Sequence, residues 1–290
     1  MGLGLENALS EITLVLFTTL APSGIVACLA MGAILLSGRL SEAWRSAVNK
    51  FLAIPIAVAL VGLVASATHL GSPGNALYVL AGVGRSPLSN EVLSGAVFFG
   101  LVGGYWIFSF SEVRRVLLER AWIALFMAAG VVFLAGIAFA YDVRTIVTWS
   151  IPFVPVNLAL NAFVGGPLLV ACACAAAKIP AKRRVFRVLV AVSGVAVVAN
   201  VAGYLAQGAM MAGARNALVS IEQLAPGYAV AVGLFAALCA VGVAVDAVAV
   251  FGRNRLTVPV AALSSMLALC GIFVMRFVFY MSHMTVGVAF

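Results

Sequence analysis

The sequence predicts an all-α fold, a bundle of eight transmembrane helices with both termini on the outer side. Of its 290 residues, 64% are hydrophobic and 9% are charged, whereas an ordinary soluble domain has roughly a quarter of charged residues. A spanning helix needs about 20 mostly apolar residues, and the sequence offers eight such runs joined by short links. These observations exclude a soluble protein, and residues 1–290 are expected to form a single integral membrane domain.

The eight spans are predicted at residues 11–36, 49–68, 89–110, 121–141, 154–177, 185–206, 226–250 and 258–281. The first ten residues contain no Lys or Arg, so they lack the basic region of a cleaved signal peptide, and the first span is expected to stay. Ser86-Pro87 has the form of a helix start, which puts Glu91 in a first helical turn. The apolar piece at residues 76–83 is too short to span and is expected at the outer interface.

Basic residues lie mostly on one side of the predicted bundle. Thirteen of the 17 Lys and Arg residues fall in the four links that follow odd-numbered spans. Cytoplasmic loops carry an excess of basic residues, so these links are predicted to be cytoplasmic and both termini to face outward. This asymmetry accounts for the net charge of +8 and gives no reason to expect nucleic acid as a partner.

The five cysteines, Cys28, Cys172, Cys174, Cys239 and Cys270, all lie within apolar runs. The sequence has no C-x-x-C series of the kind that holds zinc or iron–sulfur clusters. We therefore predict that all five are small apolar core residues and that the protein has no metal site.

One polar link, residues 69–91, joins the second and third spans and contains His69, Arg85 and Glu91. His69 ends a helix, where its ring can meet free carbonyls; alternatively it accepts protons, because imidazole titrates near neutral pH. Glu91 at a helix start is stabilised by the helix dipole, or it marks a proton route, because ionisable groups at membrane depth are costly. The grouping of the three residues favours a functional site.

Arg276 is the only basic residue well inside a predicted span. At about 100° per residue, Arg276, Tyr280 and His283 share one helix face, which is expected to point into the outer half of the bundle. The alternative is an arginine that snorkels to the outer interface or pairs with Asp142 or Glu222. Both histidines would lie at the outer face, where a haem held by two histidines is a further alternative.

Other polar residues within the spans have structural interpretations. Asp246 is expected to pair with Arg253 or Arg255, near the inner end of the seventh span. Amide side chains are expected to line a cavity or, more commonly, to form hydrogen bonds between helices; they are Asn157, Asn161, Asn200 and Gln207.

Three segments resemble the membrane anchor subunit of DMSO reductase and related molybdopterin oxidoreductases. They are E-I-T-L-V-L-F-T-T-L-A-P-S-G near the start, H-L-G-S-P-G-N-A-L with S-P-L-S-N-E-V-L-S-G in the polar link, and R-F-V-F-Y-M-S-H-M-T-V-G at the end. The resemblance covers essentially the whole sequence. The middle segment is the most specific, and spans four to seven match mainly by hydropathy.

The resemblance implies a three-subunit complex of anaerobic respiration and electron transport in a bacterial cytoplasmic membrane. The anchor would bind and oxidise menaquinol or ubiquinol toward the outer face, with no haem or iron–sulfur cluster of its own. Its partners would be an iron–sulfur electron-transfer subunit and a molybdopterin catalytic subunit.

The resemblance also assigns two catalytic residues. The family histidine of the H-L-G-S-P motif corresponds to His69, and the family glutamate of the S-N-E motif corresponds to Glu91; both are implicated in quinol binding and oxidation. Arg85, Arg276, Tyr280 and His283 are added to the predicted quinol pocket from the polar link and the helical face, not from the resemblance.

Three other functions remain open at this point. The same anchor is able to work in reverse and reduce quinone with electrons from a substrate such as sulfite. A secondary transporter would favour helices broken near the membrane midplane, and Pro22, Pro55 and Pro167 are candidate break points. A haem-containing quinone oxidoreductase subunit is the third.

Overall fold

The computed structural model describes residues 2–69, 73–180, 184–252 and 256–285. Its elements in order along the sequence are α1 (Leu3–Ser10), α2 (Ile12–Leu36), α3 (Glu42–Phe51), α4 (Ala53–Thr68), a 3₁₀ helix (Pro73–Gly82), α5 (Pro87–Phe108), α6 (Val116–Ala140), α7 (Phe153–Ala176), α8 (Arg184–Met211), α9 (Ile221–Leu224), α10 (Tyr228–Phe251) and α11 (Val258–Met281). Within the described ranges, eight helical segments are long and apolar enough to cross a membrane. The prediction of an all-α bundle with eight spans is confirmed.

Two helices begin earlier than predicted. The second spanning segment runs from Glu42 to Thr68, through α3 and α4, and the Ser41 side chain caps α3 by accepting a hydrogen bond from the Trp44 amide. The fourth spanning segment begins at Val116. Some charged residues that the sequence analysis assigned to links lie in helices instead. Amphipathic turns extend both helices beyond their apolar stretches.

These helical extensions carry a buried ion pair. The Arg45 guanidinium donates hydrogen bonds to the Glu119 carboxylate and to the carbonyl of Leu35, and both charged side chains are almost fully buried. The Tyr105 hydroxyl donates to Asn49 Oδ1 at 2.9 Å. The cluster joins α2, α3, α5 and α6 at the end of the bundle that carries most basic residues, which we call the basic end.

The opposite end, which we call the terminal end, brings α1 next to α11 and the residues that follow it. Helix α1 packs against α11 and α9. The segment after α6 holds the residues that follow α11: the Val147 amide donates to the Met284 carbonyl at 3.1 Å, and the Thr148 hydroxyl donates to the Ser282 carbonyl. The start of α2 and the end of α11 are thereby fixed next to each other.

Helices α2 and α7 form the centre of the bundle and are its most buried spans. Glycines allow α2 to approach α4 closely: a Cβ on Gly24 would lie 2.7 Å from the Ala59 Cβ, and one on Gly62 would lie 2.8 Å from the Ala21 amide nitrogen. Small residues permit this kind of backbone contact between membrane helices. The contact sets the position of α4 relative to α2. It therefore also sets the distance between the start of α2 and the end of α4, which both lie at the terminal end.

The amides in α7 and α8 form hydrogen bonds between the two helices, as expected. Asn157 Nδ2 donates to Gln207 Oε1 at 2.8 Å, and Asn200 Nδ2 donates to Asn161 Oδ1 at 2.6 Å. Helices α2 and α7 continue through their internal prolines, Pro22 and Pro167.

Two other expectations have mixed outcomes. Four of the cysteines are buried, but Cys270 is exposed on α11, so the core prediction is wrong for that residue because it faces outward from the bundle. Asp246 is fully buried, and its expected partners Arg253 and Arg255 lie outside the described residues.

Candidate functional site

The terminal end brings His69 to a carboxylate that lies far from it in the sequence. His69 is the C-cap of α4, as predicted, and Glu11 is the N-cap residue of α2. Their side chains meet with His69 Nε2 at 3.1 Å from Glu11 Oε2. The distance between these two atoms is that of an ion pair, but the angles at the two atoms are not those of a hydrogen bond. The His69 ring therefore faces an acid, not the free carbonyls of its own helix.

The second histidine lies near the same acid. His283 is two residues beyond the end of α11, and its ring meets the Trp149 ring edge to face at 5.1 Å between centroids. Burial lowers the pKa of His283, and the Glu11 carboxylate partly opposes this by raising it. The neutral form is thus favoured, so this ring is able to accept a proton near neutral pH.

Arg276 is buried in the bundle, 3% exposed, and forms no ion pair within the described part of the protein. The alternative prediction, that Arg276 snorkels to the outer interface or pairs with Asp142 or Glu222, is therefore wrong. Arg276 Nε donates to Thr18 Oγ1 on α2 at 2.9 Å, and the guanidinium stacks 4.1 Å from the centroid of the Phe279 ring. Cation–π contacts and one hydrogen bond hold the charge in place of a carboxylate.

Tyr280 lies beside Arg276 on the same face of α11, as the helical spacing predicts, while His283 lies past the helix end. The Tyr280 hydroxyl is coupled electrostatically to Tyr141 and Arg276, yet no described residue forms a well-directed hydrogen bond with it. Arg276 Nη2 is likewise buried without a partner among the described residues. Arg276 and Tyr280, which we call the Arg276 cluster, thus have polar atoms that are free to form further hydrogen bonds.

Glu91 belongs to α5 but not to its first turn. The helix begins at Pro87, after the Ser86 cap, so Glu91 is the fifth residue, and the prediction of a first-turn carboxylate is wrong. The side chain is buried, 5% exposed, with α6 packed close by: a Cβ on Gly136 would lie 3.5 Å from the Glu91 Cα. The helix dipole at the first turn therefore does not account for its presence.

Tyr141, at the end of α6, connects Glu91 with the Arg276 cluster. It interacts electrostatically with Glu91, Tyr280 and Arg276, and its ring lies 5.4 Å from the Arg276 Cζ. Acidic, phenolic and cationic groups from α5, α6 and α11 are thus gathered at the terminal end. Glu91 itself forms no ion pair with any described residue.

Arg85 is placed differently. Its side chain is exposed in the turn before α5 and makes no hydrogen bond or ion pair with residues that the structure describes. The 3₁₀ helix before it exposes the apolar side chains of Tyr78 and Leu80, and Val83 is exposed just after it, which fits the expected interfacial position. Leu70, Gly71 and Ser72 of the H-L-G-S-P motif lie outside the described residues.

Sequence reasoning did not single out four residues of this site, namely Glu11, Thr18, Tyr141 and Trp149. Glu11 and Thr18 belong to the N-terminal run that carries the resemblance, and that was the available signal. Tyr141 is the last residue of the predicted fourth span and Trp149 lies in the link after it, and nothing in their spacing indicates that they pack against α11. The Trp149 indole donates to the Phe279 carbonyl at 3.1 Å, a contact that only the fold creates.

An apolar groove lies on the surface of α5 and α6. Its volume is about 410 Å³, and its lining includes Asn90, Leu93, Ser94, Val97, Ala129 and Val132. The polar members, Asn90 and Ser94, are neighbours of Glu91 along α5. The arrangement suits a ligand with a polar head and an apolar tail.

The protein is similar to known proteins over nearly its whole length. The family model described as DMSO reductase anchor subunit (DmsC) matches residues 5–281. The sequence is 32% identical over 230 residues to the C subunit of the anaerobic dimethyl sulfoxide reductase of Escherichia coli K12, with 79% of each protein covered. It is 30% identical over 288 residues to the subunit of the same name in Haemophilus influenzae, with 98% of each covered. A match over nearly the full length shows that this protein belongs to the DMSO reductase anchor subunit family.

Proposed function

We propose that this protein anchors a DMSO reductase complex in a bacterial cytoplasmic membrane and oxidises quinol at its terminal end, toward the outer face. The observation that carries the proposal is the contact between Glu11 and His69, which pairs a basic ring with an acid at the end of the bundle. Family membership supports the anchor role. Menaquinol and ubiquinol both lose two protons and two electrons on oxidation, so the proposal applies to either one.

Oxidation of a quinol releases two protons and two electrons and leaves a quinone. His69 accepts the proton of one hydroxyl through a ring nitrogen, and the Glu11 carboxylate stabilises the imidazolium that forms. Proton acceptance by a positioned base contributes typically 10²–10⁴-fold to a rate. Glu11 therefore acts as a positioning residue for His69.

The second proton goes to Glu91. A buried carboxylate without a cationic partner is able to hold a proton, and the neighbouring Tyr141 connects it electrostatically to the Arg276 cluster. Arg276 and Tyr280 retain free donors, which suits them to hold the oxygens of the quinol head. His283 supplies a second imidazole under the influence of the Glu11 carboxylate, whereas Arg85 is exposed in the turn before α5.

The tail of the quinol requires an apolar path from the lipid. The groove between α5 and α6 has apolar walls that suit an isoprenoid tail, and its polar members Asn90 and Ser94 are neighbours of Glu91 along α5. The two electrons leave through an iron–sulfur electron-transfer subunit docked at the terminal end, which delivers them to a molybdopterin catalytic subunit.

The test uses the intact complex with His69→Ala or Glu91→Ala in this subunit. We expect both variants to assemble and to lose quinol-linked turnover by roughly 10²-fold or more, while electron delivery from a soluble dye to the catalytic subunit stays intact. Glu112→Ala is the matched control, because Glu112 is an exposed carboxylate at the basic end. Normal quinol turnover in both site variants would sink the proposed site.

A further inference from the structure

A second groove lies at the basic end, far from the cluster described above. It runs between α2, α7 and α8 and has a volume of about 520 Å³. Its walls are apolar and include Val26, Ile34, Phe163, Val185, Val188 and Val192. Val188 is 50% exposed and Phe163 is 42% exposed, so the groove opens sideways from a spanning part of the bundle. A ligand would therefore enter the groove from the lipid phase.

The length of the groove matches one acyl tail. Its α2 wall extends from Val26 to Ser37, which at 1.5 Å per residue is about 16 Å. Half of a hydrocarbon core is about 15 Å thick. A fatty acyl tail from one leaflet is therefore able to lie along the groove from the basic end to the middle of the bundle.

The mouth of the groove is cationic. Arg39 and Arg184 line it at the basic end, and both side chains are exposed. Neither forms an ion pair with a residue that the structure describes. Arginine binds phosphate oxygens through paired N–H donors, and basic pockets between transmembrane helices are typical binding places for acidic lipid head groups.

We propose that this groove binds one anionic phospholipid, with an acyl tail against α2, α7 and α8 and its phosphate between Arg39 and Arg184. A quinone fits less well, because its head is uncharged and gives two arginines nothing to neutralise. A zwitterionic lipid fits less well, because its own ammonium group is repelled by the two arginines that attract its phosphate. The proposal is independent of the quinol site, which lies at the opposite end.

The experiment uses the intact complex, purified and delipidated in mild detergent, and titrated with phosphatidylglycerol or phosphatidylethanolamine of identical acyl composition. Native mass spectrometry counts the bound lipid. We expect one phosphatidylglycerol to bind preferentially and the Arg39→Gln/Arg184→Gln variant to weaken its binding by roughly fivefold per arginine removed. The Arg120→Gln/Arg187→Gln variant removes the same charge from exposed positions that do not line the groove, and it should bind as the parent does.

A second variant tests the apolar part without changing charge. Ala33 lines the groove and is exposed, so Ala33→Phe should occupy the space and reduce phosphatidylglycerol binding, with quinol turnover unchanged. Equal binding of the two lipids, an equal loss in the control variant, or a quinone recovered from the groove in place of the lipid would each overturn the proposal.

Discussion

Glu11 Oε2 lies 3.1 Å from His69 Nε2, so the start of α2 and the end of α4 meet through an acid and an imidazole. The same carboxylate raises the pKa of His283. One acidic group at the terminal end therefore acts on both histidines of the protein. A carboxylate in contact with a histidine orients the ring and stabilises its protonated form, which is the role that Glu11 has in the proposed oxidation.

Replacing Glu11 with glutamine should impair quinol oxidation without removing the base. The Glu11→Gln variant keeps the size of the side chain but loses the charge that stabilises protonated His69, so quinol-linked turnover should fall by about 10–100-fold. Steady-state assays of the intact complex with quinol and with a soluble dye would separate this loss from damage to the partners. The pKa of His283 should also fall, because the Glu11 carboxylate that raises it is gone.

Glu6→Gln is the control for this variant. Glu6 is an exposed carboxylate of α1 at the same end of the bundle, so its replacement removes one negative charge without touching either histidine. Equal activity losses in the two variants would indicate a general charge effect and would argue against a specific role for Glu11.

The eight helices were predictable because apolar runs of spanning length are written directly in the sequence. The geometry of the candidate site was predictable only in part. His69, Tyr280 and Arg276 were identified because an ionisable group in or next to a span is rare, and a helical face groups neighbours that are one turn apart. Glu11 was missed because its role depends on the packing of α2 against α4, which local spacing does not encode.

The burial of Arg45 and Glu119 was unpredictable for a related reason. Their charge assigned them to links between spans, yet each lies in a helical extension, and each compensates the other. A charge that is fully paired costs less to bury than its hydropathy value implies. Hydropathy alone places span boundaries too far inward wherever such pairs exist.

A second prediction concerns the contact between α2 and α4. Any side chain at Gly62 collides with the Ala21 backbone, so Gly62→Leu should push the two helices apart and move His69 away from Glu11. Quinol-linked turnover should then fall at least tenfold, well beyond any loss of dye-linked turnover, as expected for a displaced catalytic group. Measuring both activities, and the yield of complex, distinguishes displacement from failed assembly.

Gly100→Leu provides the comparison, because a Cβ there meets open space on α5. It introduces the same side chain into another spanning helix at little steric cost. If both glycine variants behave alike, the close approach of α2 and α4 does not position His69.

A third prediction concerns the buried ion pair at the basic end. Glu119→Ala leaves the Arg45 charge buried without its carboxylate, and breaking such a pair costs about 3–5 kcal/mol. The variant should lose thermal stability in detergent, measured by the midpoint of inactivation. Quinol turnover of the protein that remains folded should be unchanged, because the pair is remote from the terminal end.

Two further variants test whether the loss of stability comes from the unpaired Arg45 charge. Glu112→Ala removes an exposed carboxylate nearby and should leave the midpoint unchanged. The double variant Arg45→Leu/Glu119→Leu should be more stable than Glu119→Ala, because it removes both charges. A double variant as unstable as the single one would show that the destabilisation arises from lost packing and not from the unpaired charge.

The last prediction concerns Arg276, whose planar guanidinium stacks on Phe279 and donates through Nε to Thr18. Lysine keeps the charge but has neither the planar group nor a donor at that position. The hydrogen bonds of a charged group contribute about 1.5–3 kcal/mol, so Arg276→Lys should raise the KM for quinol by roughly 10–100-fold. Arg215→Lys, at an exposed position of the same end, should leave the KM unchanged. Parental quinol kinetics in Arg276→Lys would show that neither the planar guanidinium nor the Nε donor is needed to bind quinol.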